Sequence, residues 1–97
     1  MKKVFLTGLT LFLATLLIAG NIKTGAESVS EYLPLLKGKK VAVLTNQTGI
    51  IGKSHLVDSL VSLKVNIVAI LSPEHGFRGD ADAGEHVASS IDEKTGI

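Results

Sequence analysis

Apolar positions fall into blocks of different periodicity along this chain, and each block predicts a different element. Val4 to Ala19 is an almost continuous apolar stretch, preceded by Lys2 and Lys3 and followed by the small residue Gly20. That order of positive start, apolar middle and small-residue exit predicts a secretory signal peptide over residues 1–20. Thr7, Gly8, Thr10 and Thr15 dilute the stretch, which is at the short end for a bilayer span of roughly 20 residues. Residues 21–31 are polar and irregular and read as a linker. Glu31 to Leu36 fits a short helical turn broken by Lys37-Gly38-Lys39.

Two runs, Lys40 to Thr45 and Asn66 to Leu71, are short, rich in β-forming residues and lack alternation, as expected for strands covered on both faces. Between them, Leu56, Val57, Leu60, Val61 and Leu63 recur at spacings of three and four. That spacing lays an apolar stripe on a helix from Ser54 to Leu63, with Ser54 as its cap and Asp58, Ser59 and Ser62 facing away. Strand, helix, strand at this separation predicts a βαβ unit with parallel strands and a right-handed crossover. The fold class is therefore α/β, a parallel sheet of which this chain carries the first βαβ unit and the loop after it.

Parallel strands end on the same edge of a sheet, where open α/β sheets bind their ligands. Thr45-Asn46-Gln47-Thr48-Gly49 follows the first strand and Ser72-Pro73-Glu74-His75-Gly76 follows the second, so both loops are expected to line one crevice. The first loop offers amide and hydroxyl groups suited to sugars. The second offers an acid.

Composition narrows the function classes. The 97 residues contain ten basic and nine acidic side chains, and setting aside Lys2 and Lys3 leaves eight against nine, a formal charge of −1. Neither a basic nucleic-acid surface nor a polybasic membrane patch is indicated, so membrane contact is expected only through the signal peptide before cleavage. No cysteine is present, which excludes disulfides, thiolate metal sites and a cysteine-linked lipid anchor in this sequence. Fewer than eighty residues follow position 20, short for a domain without staples, and Thr95-Gly96-Ile97 stands where a further strand would be due. Residues 32–97 thus read as the N-terminal part of a longer domain.

The segment from Ser72 to His86 concentrates the candidate chemistry, because Pro73, Gly76, Gly79 and Gly84 forbid a long regular element while acids, histidines and an arginine crowd together. Glu74, at the mouth of the crevice beside an apolar strand end, is placed where desolvation raises a carboxyl toward a useful proton donor; a loop acid capping the next turn is the alternative. His75 could orient that carboxylate or bind an anion, and Arg78 could clamp a substrate carboxylate, or either could be a solvated loop residue or hold the loop to itself. Asn46, Gln47 and Thr48 are candidate sugar-binding residues, although together they also match a glycosylation sequon. Glu85 joins the substrate-binding set and, with Asp82, is a candidate second carboxylate. Asp80, Asp82, Glu85 and His86 fit neither the calcium-loop spacing nor the His-Glu-x-x-His zinc helix, so no metal and no cofactor is assigned. A metal-dependent hydrolase built on His75, Asp80 and His86 remains the alternative that such ligands allow. Gly52-Lys53-Ser54 looks like the end of a phosphate loop, but Gln47 stands where its first glycine belongs.

Thr45-Asn46-Gln47-Thr48-Gly49, Leu71-Ser72-Pro73-Glu74-His75-Gly76-Phe77-Arg78-Gly79 and Ala83-Gly84 together resemble the exo-β-N-acetylmuramidase family of bacterial cell-wall glycosidases, from about Tyr32 to Ile97. The resemblance implies a Rossmann-like N-terminal domain, a smaller C-terminal domain and an active site between them. It also implies removal of N-acetylmuramic acid from the non-reducing ends of peptidoglycan fragments, with Glu74 as catalytic acid, to which the residue reading adds His75 as the neighbouring catalytic candidate, and muramic-acid-terminated saccharides as partners. Peptidoglycan lies outside the cytoplasmic membrane, so a periplasmic or extracellular location is expected. A non-catalytic envelope protein that binds peptidoglycan sugars is the other reading.

Overall fold

A computed structural model describes residues 20–73 and 75–97. The stretch expected to be a signal peptide, apart from Gly20, and Glu74 lie outside the described residues. Helix α1 spans Val29–Leu36, β1 Lys40–Leu44, β2 Ile50–Ile51, β3 Ser54–His55, α2 Leu56–Ser62 and β4 Asn66–Leu71. Among the described residues no helix is long and apolar enough to cross a membrane.

The first turn of α1 reaches back into the expected linker, and the helix contains Pro34. A turn at Thr24–Glu27 leads into it: Thr24 N–H and Oγ1 both donate to Glu27 Oε2, holding that exposed carboxyl below its ordinary range. Tyr32 then donates its hydroxyl to the Ala26 carbonyl at 2.8 Å, which fixes the turn to the helix.

β1 and β4 pair in parallel, so the α/β reading and the shared strand direction hold. The register shifts once, between Val41 and Ala42, where β4 carries an additional residue: Val41 faces Ile67, yet Ala42 faces Ala69. Side chains alternate faces along a strand, so Ile67 and Ile70 would otherwise oppose each other. The irregularity puts both on the side of α2, in line with Val41 and Val43.

That side forms the core. Val43, Val57, Leu60 and Ile67 are buried, with Leu36, Leu56, Val61, Phe77 and Ile97 packed around them. The opposite face differs from the expectation of strands covered twice: Leu44 is 73% exposed, Leu71 55% and Val68 52%. Among the described residues, α2 and side chains of α1 pack on one face of the two-stranded sheet, while the apolar side chains of the other face are left exposed.

The start of α2 also differs. Ser54 is not its cap but pairs with Ile51 in the antiparallel β2–β3 hairpin, whose turn is Gly52-Lys53. The glycine-lysine-serine string is thus a hairpin, not a phosphate cradle. His55 caps α2, its Nδ1 accepting the Val57 N–H. At the far end Lys64 adopts a positive φ of 63°, the Val65 N–H reaches the Leu60 carbonyl and the Lys64 N–H reaches Val61. This is a Schellman ending, with Val65 and Leu60 supplying its apolar contact.

Candidate functional site

The parallel pairing of β1 with β4 delivers both polar loops to one edge. The Thr45 N–H continues the ladder to the Leu71 carbonyl at 3.0 Å, so the chain leaves both strands at the same level. Beyond that point the loops touch. A Cβ on Gly79 would stand 2.9 Å from the Cβ of Gln47, and Gly79 has a φ of +79°, so only glycine lets the second loop lie this close to the first.

Asn46 organises the first loop. Its Oδ1 accepts the Thr48 N–H at 3.0 Å and the Thr48 hydroxyl at 2.7 Å, an Asx turn, while its carbonyl accepts the Gly49 N–H. Among the described residues the side-chain N–H donors of Asn46 are left for another acceptor, and the Thr48 hydroxyl oxygen can still accept. Gln47 and Thr48 are exposed.

His75 and Gly76 both have φ of 71°, left-handed values that are uncommon for a histidine. His75 Nδ1 donates to the Ala81 carbonyl at 2.8 Å, and the Ala81 N–H returns to the His75 carbonyl. A carbonyl only accepts, so Nδ1 carries the proton and Nε2 is the ring nitrogen available for chemistry. Glu85 sits in an exposed turn, its Oε2 accepting the Asp82 N–H at 2.9 Å.

Arg78 is placed differently from a substrate clamp. Its Nε and Nη2 meet Asp92 Oδ1 and Oδ2 at 2.6 and 2.7 Å, and its Nη1 and Nη2 meet Asp58 Oδ2 and Oδ1 at 3.3 and 3.0 Å. Lys94 adds an ion pair to Asp58 at 2.6 Å. Asp92 Oδ2 also accepts the N–H and hydroxyl of Thr95. The guanidinium holds both carboxyls below their ordinary range, foremost through these hydrogen bonds, and its own pKa is raised in return. With both edges of its fork committed to carboxylates of its own chain, Arg78 ties this loop to α2 and to the turn at Asp92, a long-range role that the sequence reading did not contain. Asp58, expected on the solvent side of α2, is correspondingly covered.

Sequence reasoning missed His55. Its Nε2 donates to the Asn46 carbonyl at 2.8 Å while Nδ1 caps α2, and its ring meets the edge of Phe77 at 5.4 Å between centroids. Phe77 in turn lies under the Arg78 guanidinium at 4.6 Å. Asp92 was missed as well, although an aspartate three residues before Thr95 is a local turn signal. Among the described residues no three His, Asp or Glu side chains converge as metal ligands, so His75, Asp80 and His86 are not brought together.

Comparison with known proteins addresses the same segment. The family described as exo-beta-N-acetylmuramidase NamZ, N-terminal, matches residues 41–97. The peptidoglycan beta-N-acetylmuramidase NamZ of Bacillus subtilis (strain 168) is 40% identical over 82 residues, which cover 79% of this chain and 19% of that protein. The crystal structure of a DUF1343 family protein from Bacteroides fragilis NCTC 9343 is similar with a TM-score of 0.62 and 46% identity, over 75% of this chain and 18% of that one. The chain thus spans about a fifth of the length of these relatives. The matched region contains both crevice loops and the arginine-centred ion pairs, and the chain belongs to the exo-β-N-acetylmuramidase family, in its N-terminal part.

Proposed function

We propose that the protein containing this chain is an exo-acting glycosidase that releases N-acetylmuramic acid from the non-reducing ends of peptidoglycan fragments. The observation that carries the reading is the meeting of two loops at one sheet edge, Gln47 against Gly79, within a segment that matches a muramidase family. Glycosidic cleavage needs a carboxylic acid to protonate the leaving oxygen and a second group to stabilise or capture the oxocarbenium-like centre. Glu74 is the acid in this reading. His75, with its Nδ1 proton held by the Ala81 carbonyl, presents Nε2 as an acceptor for proton exchange with the Glu74 carboxyl between turnovers. The Asn46 amide donors, Gln47 and Thr48 take sugar hydroxyls or the acetamido group, and Glu85 lines the outer rim. Residues 1–20 direct the protein across the cytoplasmic membrane to the periplasm or the exterior, where its substrate lies.

Turnover tests this against a sugar-binding envelope protein and a metallohydrolase. Full-length protein incubated with a disaccharide ending in N-acetylmuramic acid is expected to liberate the free sugar at a rate unchanged by a chelator. Binding without release contradicts the reading, and so does activity abolished by chelation.

A further inference from the structure

We infer that Arg78 is a positioning residue for the loop that carries Glu74, acting through a latch to Asp58 and Asp92 and not through contact with the substrate. The inference rests on the glycosidase reading above. Arginine has five N–H donors in a rigid fork, and here the fork makes four bonds to two carboxylates. Asp58 belongs to α2, whose Val57 and Leu60 are core residues. Asp92 belongs to a turn closed by the Gly96 N–H on the Asp92 carbonyl and by the Asp92 N–H on the carbonyl of Ile97, which packs on the core. One guanidinium therefore ties the second crevice loop to two anchored elements at once.

The same group is linked to the first loop by packing. Arg78 lies on Phe77, Phe77 meets His55, and His55 bonds the Asn46 carbonyl, so a continuous set of contacts joins the two sides of the crevice. The side chains of Arg78, Asp58 and Asp92 are only 23%, 14% and 9% exposed, so solvent screens their attraction weakly. A lysine would keep the charge and lose the fork, because one ammonium cannot hold two carboxylates bidentately. Catalytic groups need placement well within an ångström, so loosening this latch should slow the chemical step without weakening substrate binding.

The test compares Arg78→Lys, Asp58→Asn and Asp92→Asn in the full-length protein on two disaccharides, one with the lactyl carboxylate of muramic acid and one with it converted to an amide. Amide hydrogen exchange over residues 75–81 is followed in parallel. The latch predicts kcat lower by about tenfold or more with KM within about twofold, equally on both substrates in all three variants. It also predicts exchange about tenfold faster over residues 75–81. Should Arg78→Lys fail to fold, Thr95→Val, which removes one hydrogen bond orienting Asp92, is expected to shift kcat and exchange in the same direction by less. The inference is overturned if Arg78→Lys raises KM on the carboxylate substrate alone while the aspartate variants behave as the parent, or if exchange over 75–81 is unchanged in Asp92→Asn. Should the parent release no sugar, the glycosidase reading fails by itself, and the exchange measurement decides whether the latch exists.

Discussion

At the scale of single residues, the ion pairs around Arg78 give the segment a definite response to acid. Asp58 and Asp92 are both held below the ordinary aspartate value of 3.8. A depressed carboxyl contributes stability that is fully present above its unfolded pKa and is lost as pH falls through the folded one. Unfolding measured by urea at a series of pH values should therefore show stability falling below about pH 4. Asp92→Asn is expected to cost about 2 kcal/mol at pH 7, as one partner of a charge-assisted pair is removed, and to flatten that acid limb. A variant as acid-sensitive as the parent would mean that Asp92 does not bear the load assigned to it. None of this pairing is legible in the sequence, since Arg78 reaches 14 residues forward and 20 back to find its partners. Periodicity instead assigned Asp58 to the solvent face, because a helical wheel records spacing and not what a distant loop lays over it.

At the scale of elements, β1, α2 and β4 are legible because each carries its own signal: two β-rich apolar runs and a stripe of threes and fours. Their boundaries are less so. Ser54 is a good capping residue by type, yet hairpin pairing with Ile51 claims it, and His55 takes the cap with a ring that also reaches the Asn46 carbonyl. The irregularity in β4 is equally silent in the sequence, since an unbroken apolar run looks the same with or without a register shift. His55 joins three elements, so His55→Ala should destabilise the protein by about 2 kcal/mol through the lost cap and the lost bond to the Asn46 carbonyl. His55→Asn, which can still cap but cannot reach that carbonyl, should recover about half of the loss. Equal destabilisation by alanine and asparagine in urea titrations would show that capping contributes nothing at this position.

At the scale of the whole molecule, the parallel pairing makes two stretches distant in sequence into one rim. That much follows from the βαβ pattern alone, because parallel strands share their carboxyl edge. What topology cannot convey is which side chains at the rim face a ligand and which brace the loops. Gln47 and Thr48 are exposed at the rim, whereas Arg78 turns inward to Asp58 and Asp92. The apolar outer face of the sheet, with Leu44 and Leu71 exposed, marks the other place where local pattern and structure part, since a run without alternation predicts two covered faces and the described elements cover one.

Whether this rim cleaves a glycosidic bond with Glu74 as its acid is decided by Glu74→Gln in the full-length protein. Glutamine keeps the shape and removes the transferable proton. Release of N-acetylmuramic acid is expected to slow by about 100-fold or more, with affinity for the disaccharide within about twofold of the parent. Release at the parental rate from a Glu74→Gln protein would contradict that role of Glu74.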